Sequence, residues 1–375
     1  MEKLENESID FCMTSPPYWS LRDYGKGTES VWGGDKNCKH EWLQNIQKPK
    51  GGKGSKSANV GANKNDFINM RDHNVKTKLC KKCGAWKGQI GLEEHPNMFI
   101  EHLVEVFREL KRVLKKQGSF YLNLGDTYFG SGAGTDKTNQ MPSGKHVYKL
   151  PYGDCRTRTK RSFISGWLQP KQLMLIPNRI AIALQEDGWL LRNDIIWHKP
   201  NAMPSSVKDR LNNTYEHVFH FVKSKKYYYD LSTIREPHKS LETESKRKNF
   251  NEPVNYNSKY PDGVGATQRF NGIPRTERYS ENGKNPGDFW EICTKPFKGA
   301  HFAVYPETLC EKPIKSSCPP NGVVLDMFAG AGTTLVVAKK LGRKFIGFEL
   351  NKKYVRIANK RLANVSDKLK PCTRK

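Results

Sequence analysis

Apolar positions fall into short blocks separated by long polar stretches. Residues 8–14 form an apolar run that stops at a Ser-Pro-Pro turn, which predicts a buried strand. Residues 97–116 place Phe99, Leu103, Val106, Phe107, Leu110 and Leu114 at helical spacing, and Gly118 closes that helix. A strand follows at 119–124. A second helix is predicted over 170–187, opened by Pro170 and closed near Gly188. Residues 189–197 and 216–222 are apolar-rich strands. Toward the end come a strand at 322–328, a helix at 334–341, a strand at 344–350 and a basic helix at 352–363. Strands alternating with helices predict an α/β fold with a largely parallel, doubly wound sheet of Rossmann-like type.

Between these blocks, residues 36–95, 130–166 and 230–290 are polar and lack sustained periodicity. The chain therefore divides into 1–35, one half of the core; 36–95, an insertion; 96–229, more core with an inserted loop at 130–166; 230–290, a long polar region; and 291–375, the other half of the core.

Charge changes this picture. The net charge is +26, and residues 36–87, 137–171 and 339–375 carry +10, +7 and +11. Positive charge concentrated in polar segments suits a polyanion, through phosphate contacts and counterion release. No run of 18 apolar residues is present, and the first residues lack an apolar signal region, so a cytoplasmic protein is expected. Nine cysteines in such a chain do not suggest a disulfide framework.

Two sequences carry candidate chemistry. Val323-Val324-Leu325-Asp326 is an apolar strand ending in a carboxylate, followed by Met327-Phe328-Ala329-Gly330-Ala331-Gly332-Thr333-Thr334. Gly330 and Gly332 permit a tight turn and close backbone approach to a ligand. Thr333 and Thr334 are candidates to cap the following helix. Glu349 ends the next strand, where an acid usually grips ribose hydroxyls. The spacing suits a single adenosyl ligand better than a dinucleotide. The second sequence is Ser15-Pro16-Pro17-Tyr18-Trp19 at the end of the first strand. Its two prolines lock φ and fix the direction of a carbonyl, Ser15 supplies a polar side chain, and Tyr18 supplies a stacking face.

A third group lies in the insertion. Cys38-Lys39-His40 and Cys80-Lys81-Lys82-Cys83-Gly84 bracket it, and Cys-x-x-Cys-Gly is a common half of a zinc knuckle. Cys38, His40, Cys80 and Cys83 are the expected ligands of a structural zinc ion. Trp42, Trp86 and Trp167 are read as loop anchors.

Together these motifs resemble the β-type amino-methyltransferases of DNA, in which the catalytic motif precedes the cofactor motif. The match extends through 19–25, Asn123-Leu124-Gly125-Asp126-Thr127-Tyr128, Ile195-Ile196-Trp197-His198-Lys199-Pro200-Asn201 and 295–306. The resemblance implies a permuted methyltransferase sheet. S-adenosylmethionine would be held by Asp326, Phe328, Gly330, Gly332, Thr333, Thr334, Glu349 and Asn351, with His301 and Phe302 over its methionine end. Catalysis would fall to Ser15, Pro16, Pro17 and Tyr18. Double-stranded DNA would be the substrate, its target base flipped out of the helix, and 230–290 the target-recognition region. A cognate restriction endonuclease is an implied partner. Serine before Pro-Pro resembles the cytosine-N4 branch, with adenine N6 as the alternative. The family also carries a strand ahead of the segment at Leu4. The sheet is thus expected to lack one edge strand, with Met1 an internal start or the gene truncated; an inactive DNA-binding relic is one alternative of another class, an RNA or protein amino-methyltransferase another.

Overall fold

The computed structural model describes residues 1, 3–24, 27–42, 79–93, 95–129, 149–150, 153–154, 168–169, 171–238, 282–295 and 304–365. Most of the 130–166 loop and of the 230–290 region lies outside the described residues, as do Trp167, His301 and Phe302.

Strand β1 (Ile9–Thr14) is buried except at Asp10, as an apolar-rich strand in the middle of a parallel sheet should be, and Asp10 accepts from Lys115 Nζ at 2.7 Å and the Val323 N–H at 2.9 Å. A two-stranded ribbon, β2 (Ser30–Trp32) with β3 (Trp86–Gly88), brackets the insertion. Helix α1 (Pro96–Val113) starts with His95 accepting from the Asn97 N–H and ends with Lys111 and Arg112 in its last turn, where cations suit the helix dipole. Strand β4 (Leu114–Leu124) follows without a loop. A short antiparallel pair, β5 (Lys149–Leu150) and β6 (Gly153–Asp154), precedes helix α2 (Ile176–Glu186). Then come β7 (Leu190–His198), β8 (Tyr215–Val222) and β9 (Phe289–Glu291). Helix α3 (Glu307–Ser317), β10 (Val323–Asp326), α4 (Thr333–Lys340), β11 (Lys344–Gly347) and α5 (Lys352–Ala363) complete the chain.

Seven strands form one sheet in the order β11-β10-β1-β4-β8-β7-β9. The first four are parallel, β8 runs antiparallel to both neighbours, and β9 is parallel to β7. The largely parallel, doubly wound α/β expectation is met. Successive residues alternate between faces. Cys12, Phe120 and Leu122 pack with α1 and α2, in a cluster with Phe99, Leu103, Phe107, Ile180 and Leu184. Phe11, Met13 and Tyr121 pack on the other face with Leu309, Ile314 and Val337 of α3 and α4. The pairing that defines the permutation is Phe11↔Val324 and Cys12↔Leu325: it joins the first strand to a segment some 300 residues away.

Several boundaries differ from expectation. The first helix ends at Val113 rather than near 116, because Leu114 turns extended and pairs with Ile9. Gly118 is therefore inside a strand, not a helix stop. The second helix begins at Ile176, after Leu175 in the left-handed region, not at Pro170. Strand β9 and helix α3 had no periodic signal. The first is three residues long, and the second contains Pro313.

Gly118 sits where the β1–β4 register shifts, and a Cβ there would meet the Asp10 carbonyl at 2.9 Å and Leu114 Cδ1 at 2.7 Å. Gly118→Ala is expected to lower stability by about 1–3 kcal/mol, since backbone must move. Gly287→Ala, with nothing within 4 Å, should stay within about 0.5 kcal/mol in the same thermal melts.

Candidate active site and cysteine cluster

The carboxyl ends of β1 and β10 lie side by side, and this brings the two motifs together. Asp326, 1% exposed, accepts from Thr14 Oγ1 at 2.6 Å and from the Phe328 N–H at 3.1 Å through Oδ1, and from Tyr305 Oη at 3.3 Å through Oδ2. Burial pushes its carboxyl above the usual range, while the bonds from Thr14, Thr334, Phe328 and Tyr305 pull the other way. The side chain is thus spent inside the protein, ordering the loop that would face a ligand, with Phe328 half-buried beside it.

The loop turns through Gly330 (φ 50°) and Gly332 (φ 74°), a region glycine enters without strain. At Gly332 a Cβ would also lie 2.9 Å from Ala358 Cβ, so this glycine lets α5 pack against the turn. Glu349 bridges the loop to the next strand end: Oε2 accepts from the Gly330 N–H at 2.9 Å and Oε1 from the Asn351 N–H at 2.7 Å. Thr333 and Thr334 do not cap α4. Gly332 is the cap, without a side-chain bond. Both threonines lie inside the first turn and point into the structure: Thr333 Oγ1 accepts from Arg361 at 2.9 Å, and Thr334 binds Tyr305 and the Met13 carbonyl. Asn351 caps α5, accepting from the Lys353 N–H at 2.9 Å.

Directly after Thr14, Ser15-Pro16-Pro17-Tyr18 leaves the sheet with Pro16 buried and Ser15 and Tyr18 half-buried. Tyr18 Oη donates to Glu216 Oε2 at 2.6 Å. Asn123 Nδ2 lies 2.9 Å from Tyr18 Oη, 2.8 Å from Glu216 Oε2 and 3.4 Å from Ser15 Oγ. Lys199 Nζ donates to Glu216 Oε1 and sits 4.6 Å from the Trp197 ring centre. Burial, then the charge of Glu216, pushes the Tyr18 phenol well above its ordinary value. Asp126, at the end of β4, accepts from the N–H groups of Thr127, Leu175 and Ile176 and so anchors the start of α2.

Residues 9–360 match the model of the DNA methylase family of N6 and N4 methyltransferases. The chain belongs to this family. Among its relatives, the type II methyltransferase M.SmaI of Serratia marcescens is 31% identical over 363 residues, which cover 96% of this chain and 87% of that one. The type II methyltransferase M.XycI of Xanthomonas campestris pv. cyanopsidis is 33% identical over 364 residues, 96% of this chain and 84% of that one. The solved PvuII DNA methyltransferase (cytosine-N4-specific) shares the fold, with a TM-score of 0.50 and 16% identity over 98% of this chain and 84% of that one. No helix among the described residues of the methylase is long and apolar enough to cross a membrane.

Sequence reasoning placed Asn123, Lys199 and Tyr305 in segments resembling the family's without giving them individual roles, and it assigned no role to Thr14 or Glu216. Thr14, Tyr305, Asn123, Lys199 and Glu216 come from five different segments, and only the strand register shows that they converge. An acid and a lysine at the ends of two apolar strands were the available signal.

The insertion of the methylase holds the four expected ligands together. One ligand atom each from Cys38, His40, Cys80 and Cys83 lies within 4.8 Å of all the others. Cys38 and Cys80 sulfurs are 3.9 Å apart, and Cys83 Sγ is 3.4 Å from His40 Nδ1. Burial tends to raise the Cys80 thiol, yet the N–H groups of Cys83 and Lys82, with His40, bring it down to about 6. Burial and its cysteine neighbours push Cys38 up to about 12.

Backbone bridges, ring contacts and hydrogen bonds connect this cluster, through the ribbon, to the Ser15–Trp19 loop. Trp86 pairs across the ribbon with Trp32, and the two rings pack on His102 of α1 at 5.4 and 5.2 Å. His102 Nδ1 is 2.9 Å from Glu93, whose side chain is fully buried. Glu93 accepts from the Gly91 N–H at 2.7 Å through its carboxylate and from Trp19 Nε1 at 3.0 Å through its carbonyl. Gly91 in turn accepts from the Ser20 N–H at 2.7 Å. Trp86 and Trp42 thus serve as anchors, as expected: Trp42 packs on His40 and bridges to Cys80. His102→Ala is expected to cost about 3–5 kcal/mol, because it strands a buried carboxylate. Urea denaturation followed by tryptophan emission measures this loss.

Proposed function

We propose that the chain is a site-specific DNA methyltransferase that moves the methyl group of S-adenosylmethionine to the exocyclic N4 amine of cytosine in duplex DNA. The observation that carries the reading is the adjacency of Ser15-Pro16-Pro17-Tyr18 to the Asp326–Gly332 loop, tied at Thr14–Asp326. The Gly330–Glu349 arrangement suits an adenosyl group, with Glu349 and Asn351 toward the ribose. A bound S-adenosylmethionine supplies an electrophilic methyl carbon on a sulfonium.

An exocyclic amine is a poor nucleophile because its lone pair is delocalised into the ring. The Pro16 carbonyl, fixed in direction by its ring, accepts one amine hydrogen and draws the nitrogen toward sp³. Ser15 contacts the base edge and Tyr18 stacks on its face. Such contacts require the base to leave the duplex. With S-adenosylmethionine held by the Asp326–Gly332 loop, the amine nitrogen would take the cofactor's methyl group, leaving a neutral thioether, and the extra N–H proton would pass to water, so Ser15, Pro16 and Tyr18 need only hold and orient the base. Ser15 ahead of Pro-Pro, which resembles the cytosine-N4 branch, supports cytosine; its neutral hydroxyl can donate to cytosine N3 and equally to adenine N1. The basic segments supply phosphate contacts. The type II relatives support a setting beside a restriction endonuclease.

Zinc is the proposed metal of Cys38, His40, Cys80 and Cys83. A tetrahedral site with Zn–S bonds of about 2.3 Å has sulfur–sulfur edges near 3.8 Å, and the Cys38–Cys80 separation of 3.9 Å fits it. Its role would be to close a ribbon too small to bury a core.

Two measurements test these readings. Labelled methyl from S-adenosylmethionine should appear in unmethylated genomic DNA as N4-methylcytosine on nucleoside mass spectrometry. N6-methyladenine would overturn the base, and no transfer would overturn the enzyme. Purified protein should carry about one zinc per chain by elemental analysis, lost in Cys80→Ser and Cys83→Ser; full zinc in both variants would exclude the site.

A further inference from the structure

We propose that Glu216, supported by Lys199 and Asn123, is a positioning residue for methyl transfer that fixes the plane of the Tyr18 ring. The proposal rests on the functional reading above, in which the target base stacks on Tyr18. Glu216 enters from β8, in register with Trp197 of β7, and β8 also lies beside Asn123 of β4. Its carboxylate divides its work. Oε1 takes Lys199, and Oε2 takes both the Tyr18 hydroxyl at 2.6 Å and the Asn123 amide at 2.8 Å.

The carboxylate also sets the amide. An Asn123 side chain turned the other way would place its oxygen against Oε2, so the charge selects the orientation that donates to Tyr18 and Ser15. One side edge of the ring is flanked separately: a Cβ on Gly125 would lie 2.6 Å from Tyr18 Cε2 and 3.2 Å from Cδ2. A phenol gripped at its oxygen from β8 and β4, with its edge on a glycine, has one available plane. Stacking energy is then available without first ordering the ring.

Stability does not explain this arrangement. The side chains of Glu216 and Lys199 are 15% and 19% exposed, and apolar residues often replace such a buried pair at no cost in stability. What apolar residues could not do is hold a hydroxyl and an amide at the strand end. The network is therefore assigned to the geometry of the reaction rather than to the fold.

The test uses the full-length protein with unmethylated genomic DNA. Variants are Glu216→Ala, Glu216→Gln, Tyr18→Phe and the Tyr18→Phe/Glu216→Ala double. Readouts are kcat, KM for DNA, thermal melting and S-adenosylmethionine affinity by equilibrium dialysis. Glu216→Ala and Tyr18→Phe should each lower kcat about 10–100-fold, the cost of misplacing a reacting group. Glu216→Gln, which keeps an acceptor for the phenol, should lose less. Residues acting as one unit are not additive, so the double variant should be no slower than the slower single. Cofactor affinity should stay within about 2-fold, as expected for a site with no shared partners.

Turnover unchanged in Glu216→Ala, or losses that multiply in the double variant, would overturn the proposal while leaving the enzyme assignment intact. An inactive wild-type protein would overturn the functional reading and this proposal with it. If Glu216→Ala does not fold, Tyr18→Phe, Glu216→Gln and their combination carry the same test.

Discussion

The bond from Thr14 to Asp326 is the constraint on which the site depends. It spans 312 positions of sequence and sits where two parallel strands end together. A buried carboxylate is costly unless it is hydrogen-bonded. Here Thr14, the Phe328 N–H and Tyr305 satisfy it. Each of these partners belongs to a different part of the site: the strand that leads into Ser15, the glycine loop, and the segment before α3. Satisfying one charge therefore positions three segments at once. Chain order is irrelevant to this. The permutation moves the chain ends but leaves the strand neighbours, and with them the site, in place.

From that junction the Ser15–Trp19 loop is held on two further sides. Glu216 reaches it from β8 through Tyr18, and Glu93 reaches it from the insertion through Trp19 and Gly91. A Pro-Pro segment is stiff in φ but still free to pivot about its ends. Anchors at Thr14, Tyr18 and Trp19 remove that freedom, and among the described residues no side chain bonds the Pro16 carbonyl. Effective orientation of a reacting amine depends on such fixed directions more than on the strength of any one contact.

What was legible in the sequence follows from locality. Strand β1, helix α1, the glycine turn and the Cys-x-x-Cys pair are each coded by neighbours a few positions apart, and each is found near its expected place. The end of α1 was misplaced because Leu114 has helical spacing, yet it is claimed by Ile9 across the sheet. Thr333 and Thr334 looked like caps because capping is a local habit of threonine; tertiary partners at Arg361, Tyr305 and Met13 took them instead. The roles of Asn123, Lys199 and Glu216 were invisible for the same reason. Nothing local distinguishes Glu216 from a solvated acid at a strand end, and only the antiparallel register of β8 with β4 and β7 brings it to Tyr18.

The insertion shows how a site can recruit structure that cannot stand alone. Strands β2 and β3 have three residues each, and a two-stranded ribbon of that size is not stable in water. It is ordered from both ends: by the cysteine–histidine cluster at its tip and by Trp32 and Trp86 packed on His102 at its base. The base is the end that reaches the Ser15–Trp19 loop. His102 orients Glu93, and Glu93 holds Trp19 and Gly91 beside Tyr18. The insertion also reaches the other side of the site: Gln89 accepts from the Tyr24 N–H at 3.0 Å, and the Tyr24 carbonyl accepts from Asn351 Nδ2 at 3.3 Å, beside Glu349. The ribbon and its flanks therefore brace the Ser15–Trp19 loop through Glu93 and the Asn351 turn through Tyr24. The bond at Thr14 is then the direct tie between β1 and the glycine loop, and the Tyr24–Asn351 contact is a second brace between the same two regions.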